Sequence, residues 1–179
     1  MIPTMRCLPA AGLLLVLAAC QGPVAQSTTG NANPAEVNFA TNAYQIIEFD
    51  RREGALAQIQ ARNPRVKALA QQLTNEANDF AAQLGPVTAD AGIRPPTQLR
   101  NDLRVRLAHM QLQQGLDFDR TYLNDQIASH EEEVMMQDSM RNADVRPSFA
   151  DLIQKGQAII RRNLDTLRSL QAEMATGRR

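Results

Sequence analysis

Two Asn-Pro dipeptides constrain what this chain can fold into more than any other feature. In Asn33-Pro34-Ala35-Glu36 an amide side chain stands ready to cap, and proline occupies the first helical position, where its missing N–H costs nothing. Glutamate follows three residues after the cap, which completes a helix start. Asn63-Pro64 stops that helix and opens the next in the same way, because proline holds its predecessor in extended conformations. Arg146-Pro147-Ser148 opens a last helix less cleanly. Gly92 with Pro95-Pro96 separates two halves, and Pro86 is expected to kink or end the second helix.

Between these punctuation marks the apolar residues recur at threes and fours, and no alternating run supports a strand. Helices are expected over about 34 to 61, 64 to 91, 98 to 142 with a break near Gly115, and 147 to 175. The apolar seams run through Phe39, Ile46, Phe49 and Leu56 in the first helix and through Val66, Leu69, Leu73, Phe80 and Leu84 in the second. In the third they run through Leu116, Leu123, Ile127 and Val134, and in the fourth through Phe149, Ile153, Ile160, Leu167, Leu170 and Met174. Short connections make neighbours antiparallel within each pair, and the proline-bearing segment joins the pairs. The expected fold class is therefore all-α, an antiparallel four-helix bundle with a proline-bearing crossover.

Each seam carries a polar residue where an apolar one belongs: Glu53, Glu76, His130 and Asn163, with Asp50 level with Glu76 beside the first seam. A carboxylate cannot stay unpaired in an apolar core, where desolvation costs several kcal/mol or neutralises the group. One solution is a hydrogen-bonded network that fixes helix register. The other is a metal held by two carboxylates, Glu76 and either Asp50 or Glu53, with the His130 imidazole and the Asn163 oxygen, a donor set that suits iron, manganese or zinc. Di-metal bundles place a Glu-x-x-His pair on each of two helices. Here Glu76 is followed at that spacing by Asp79, and His130 is preceded by Ile127, so the network is preferred and no cofactor is expected. Met135, Met136 and Met140 would be the ligands of a copper alternative, but methionine usually fills core gaps. Glu131-Glu132-Glu133 reads as a solvated helix face, and Tyr44 and Tyr122 as half-buried bundle aromatics. No Ser-His-Asp set, phosphate loop or zinc-protease signature is present, so no enzymatic activity is expected.

Upstream of the first helix, Arg6 precedes an apolar run from Leu8 to Ala19 that closes on Leu17-Ala18-Ala19-Cys20. The run is about a dozen residues, shorter than the ~20 a spanning helix needs. It resembles the lipobox of bacterial lipoprotein signal peptides, which implies cleavage before Cys20 and acylation of that residue, the lipid-attachment site. Gln21, in place of an aspartate at the next position, implies sorting to the outer membrane. Residues 1–19 are then a signal peptide, 20–33 a lipidated cysteine and polar tether, 34–175 the bundle and 176–179 a short tail. Cys7 leaves with the signal and Cys20 carries lipid, so neither a disulfide nor a cysteine metal site remains. Nineteen basic and nineteen acidic residues form no basic stripe, which argues against nucleic acid as a partner.

The segment Gly115-Leu116-Asp117-Phe118-Asp119-Arg120-Thr121-Tyr122-Leu123 resembles the Gly-x-x-Phe-Asp-Arg-x-Tyr helix start of the bacterial family catalogued as domain of unknown function four-one-four-two. Asn63-Pro64-Arg65-Val66-Lys67-Ala68-Leu69-Ala70 is similar to its second-helix opening, and the resemblance spans about residues 36 to 174. It implies a ferritin-like bundle, usually exported, with no established biochemical activity. Relatives typically carry Asp-His where this chain has Glu76-Ala77, Asp-His again at Ser129-His130, and a last-helix histidine at the position of Asn163. The combined expectation is a lipid-anchored, periplasm-facing, non-catalytic interaction or stress-related module whose partner in the envelope the residues do not name. A degenerate ferritin-like metal or oxidative protein is the alternative.

Overall fold

The computed structural model describes residues 32–177. The signal segment, Cys20 and nearly all of the tether lie outside the described residues. Five helices follow one another: α1 (Pro34–Gln60), α2 (Pro64–Asp90), α3 (Asn101–Gln111), α4 (Gly115–Ser139) and α5 (Pro147–Thr176), with no strand among the described residues. The chain is thus all-α. None of these helices is long and apolar enough to cross a membrane.

The helix starts form as their residues dictate. Asn33 Oδ1 accepts from Glu36 N at 3.0 Å while Glu36 closes the box on Asn33 N at 3.2 Å. Asn63 Oδ1 caps α2 through Arg65 N at 2.9 Å. Arg146 gives α5 no side-chain cap; its backbone N–H turns instead to Glu36, at 2.8 Å. The expected break in the third helix is complete. Leu112 to Gln114 separate α3 from α4, and Gly115 opens α4 at φ +62°, a left-handed backbone that glycine tolerates without strain.

Pro86 departs from expectation, because α2 runs through it to Asp90. Proline removes one N–H and so strands the carbonyl of residue i−4. Here that residue is Ala82, which is exposed, so water can satisfy it two turns before the helix ends.

Helix α1 packs on α2, α3 and α4, and α5 packs on α4 and α2, so the molecule is a helical bundle. Contacts at the helix ends give the directions. Arg65 at the start of α2 meets Glu173 at the end of α5, and Ala61 after α1 bridges Gly115 at the start of α4. The crossover is pinned by Gln45 on α1, which donates to Gln98 O at 2.9 Å and accepts from Arg100 N at 2.7 Å. Two apolar clusters hold the ends of the bundle, one around Phe39, Leu84 and Phe149 and the other around Val66, Phe118, Tyr122 and Leu167. Between them lies the polar material.

Candidate functional site

The expected seams of the first, second and last helices are largely inside, but that of the third is not. Leu116 is 45% exposed, and Ile127 and Val134 are only half-buried. The inward stripe of α4 instead runs through Phe118, Asp119, Tyr122, Leu123, Gln126, Ser129, His130 and Gln137. Polar residues carry the core face of this helix, so counting apolar residues alone selects its flank.

At the centre, one amide joins two helices. Gln126 Nε2 donates to Asp50 Oδ1 at 2.9 Å and to Glu53 Oε2 at 2.7 Å, and all three side chains are buried. One turn further along α4, His130 Nδ1 lies 2.9 Å from the Gln126 carbonyl oxygen, which can only accept, so Nδ1 carries the proton. Glu133 follows at 4.0 Å from that nitrogen. Its side chain is 14% exposed, so the third residue of the Glu131-Glu132-Glu133 run turns inward, contrary to the solvated face expected of it. The other two behave as expected: Glu131 pairs with Arg168 at 2.6 Å, and Glu132 is exposed near Arg106.

Across the bundle, Glu76 belongs to a different group. It accepts from Arg162 Nη2 and from Asn163 Nδ2, both at 2.6 Å. The five sequence candidates are thus split, with Asp50, Glu53 and His130 on the α1–α4 seam and Glu76 and Asn163 on the α2–α5 seam. A cavity of about 70 Å³ separates them, walled by Asp50, Glu76, His130, Glu133, Gln137 and Asn163 among apolar neighbours.

Among the described residues no three His, Cys, Asp or Glu side chains stand close enough together to hold a metal ion. The donors face protein partners: Asp50 and Glu53 meet one amide, and Glu76 is drawn to a guanidinium and an amide. These residues do not fit a di-metal centre. The methionines do not converge either, since Met135 is 64% exposed while Met136 and Met140 pack into the core near Phe39 and Phe149.

Burial dominates the electrostatics of the α1–α4 seam. It pushes Glu53 and Glu133 well above the usual carboxyl range and Asp50 upward, the last opposed by His130 and by the Gln126 hydrogen bond. Asp125 rises too through burial, against the pull of Arg106, whose Nε lies 3.4 Å from it. Tyr122, 1% exposed and stacked on Phe118, is more buried than expected, and its hydroxyl is raised well above its usual value by burial and by Glu53.

Two further buried carboxylates tie distant segments together. Asp119 accepts from the backbone N–H groups of Arg62 and Asn63 at 3.0 and 2.9 Å, so α4 holds the α1–α2 turn. Both segments that carry the family motifs therefore meet at this contact. Glu36, 1% exposed, accepts from Arg146 N at 2.8 Å, Nε at 3.0 Å and Nη2 at 2.9 Å, which locks the start of α1 to the start of α5.

The fold and this interior define an all-helical bundle with a buried acidic-amide seam between α1 and α4. The family model described as Domain of unknown function (DUF4142) matches residues 21–170, and the chain belongs to that family. A solved structure titled as a DUF305 fragment from Deinococcus radiodurans is similar in fold, with a TM-score of 0.71 at 17% identity over 79% of this chain and 98% of that one. No curated protein matches the chain in sequence.

Proposed function

We propose that this protein is a lipid-anchored component of the cell envelope, held at Cys20 on the periplasmic side of the outer membrane, and that it works as a non-catalytic interaction or stress-related module. Its helices α1, α2, α4 and α5 form a ferritin-like antiparallel four-helix bundle, with α3 as part of the crossover. The observation that carries the non-catalytic reading is the Gln126 amide, which engages both α1 carboxyl groups and makes the inner layer a helix-register device. The outward pull of Arg162 on Glu76 supports the same reading.

The anchor is supported by the lipobox segment that closes on Cys20. Thirteen residues, 21–33, separate Cys20 from α1. Fully extended they reach about 45 Å, enough to hold the bundle clear of lipid headgroups. Glu36 and Arg146 then receive the tether at a locked corner of the bundle. Fractionation of cells producing Cys20→Ser tests the reading. The wild type is expected in the membrane fraction and the variant in the soluble one; unchanged membrane association of the variant would refute the anchor.

A further inference from the structure

We propose that the α1–α4 seam is a built-in pH switch: protons held by Glu53, Glu133 and their acidic neighbours keep the bundle tight in acid, and their loss at higher pH loosens it. The inference stands apart from the lipid anchor and rests on the seam alone.

The seam has more acceptors than donors. Glu53 Oε1, Gln126 Oε1, Glu133 Oε1 and Gln137 Oε1 are all buried without a hydrogen-bond partner. The Gln126 amide has two N–H groups, and Asp50 and Glu53 take both. His130 gives its Nδ1 proton to its own helix. An ionised carboxyl can only accept, whereas a protonated one supplies an O–H. Protons are therefore the missing donors, and one on Glu53 is within reach of Asp125.

Charge leads to the same conclusion. From α1 the seam receives Asp50 and Glu53; from α4 Tyr122, Asp125, His130, Glu132 and Glu133; from α3 Arg106 and His109. Across the cavity α2 contributes Glu76 and α5 Arg162, and these two are paired with each other. Arg106 also lies over the Phe49 ring, 4.6 Å from its centre, and reaches Asp125 and Glu132 at the edge of the seam. Asp50, Glu53, Asp125 and Glu133 thus face one guanidinium, the buried imidazole of His130 and, beside Asp125 alone, the exposed imidazole of His109, too few to neutralise four ionised groups. Burial accordingly favours the protonated forms, most strongly at Glu53 and Glu133.

The unfolded chain releases these protons near the ordinary carboxyl value of about 4.3, while the folded chain keeps them to higher pH. Stability from the seam is therefore whole below that value and declines as pH rises through the folded values. Glu36 behaves oppositely. Its bonds to Arg146 hold its carboxyl below the usual range, so its contribution declines only as pH falls in strong acid.

The test uses the full chain in mild detergent. Infrared spectra at about pH 6, where ordinary carboxyls are ionised, are expected to show the carbonyl band of a protonated acid. That band should weaken in Glu53→Gln and in Glu133→Gln. The melting temperature of the wild type should fall by on the order of 5 °C between about pH 5 and pH 8, and the double variant should lose most of that slope. Absence of the band in the wild type, a level or rising melting temperature, or a double variant with the wild-type slope would each overturn the proposal. The wild-type measurements decide it even if a variant does not fold.

Discussion

Replacing Gln126 with leucine removes the amide that joins α1 to α4 while nearly preserving volume. Both lost hydrogen bonds end on carboxyl groups, at 2.9 and 2.7 Å. Where those groups are ionised, each bond contributes about 1.5–3 kcal/mol; where they are protonated, about 0.5–1.5 kcal/mol. Leucine also removes the unpartnered Gln126 Oε1 and buries its own methyl groups, which returns about 1–2 kcal/mol. The expected net loss is about 2–4 kcal/mol near pH 8 and about 1 kcal/mol or less near pH 5, against a total stability of about 5–15 kcal/mol. Urea denaturation of residues 21–179, followed by far-ultraviolet circular dichroism at both pH values, measures the difference at constant m-value. A loss under about 1 kcal/mol near pH 8, or one larger in acid, would refute the reasoning, because the amide would then not be what compensates the carboxyl groups.

Asp119→Asn leaves one of the two turn N–H groups facing an amide N–H, so it should cost about 2–3 kcal/mol and speed hydrogen exchange at Arg62 and Asn63. Glu36→Gln weakens the clamp on Arg146, whose side chain is 30% exposed, and should cost about 2–3 kcal/mol near neutrality, a difference that shrinks on acidification below pH 4 in melting experiments. A Cβ at Gly54 would lie 2.0 Å from Thr74 Oγ1, so Gly54→Ala should cost about 1–3 kcal/mol; adding Thr74→Ala should restore much of it, as a double-mutant cycle will show.

Local chemistry made much of this fold legible in the sequence. The Asn33 and Asn63 caps, the break at Gly115 and the seams of three long helices depend on residues that are neighbours along the chain. Pro86 misled because its effect depends on whether the freed carbonyl reaches water, which is a tertiary fact. Helix α4 misled more seriously. Its buried stripe of Tyr122, Gln126, His130 and Gln137 follows the same periodicity as an apolar one, and Gln126 one turn before His130 was the available signal. Glu76 occupies a seam position, yet Arg162 draws it out of the α1–α4 group, and no spacing rule places a guanidinium 86 residues away. The Glu36–Arg146 clamp, 110 residues apart, is hidden for the same reason.

The most direct test of the central claim, that the inner polar layer is a structural network, is elemental analysis. Residues 21–179 would be purified without a histidine tag after loading with iron, manganese, zinc and copper in turn. The expected result is no retained metal with any of the four. About one equivalent that survives dialysis and disappears in His130→Ala would contradict it and recast Asp50, Glu53 and His130 as ligands.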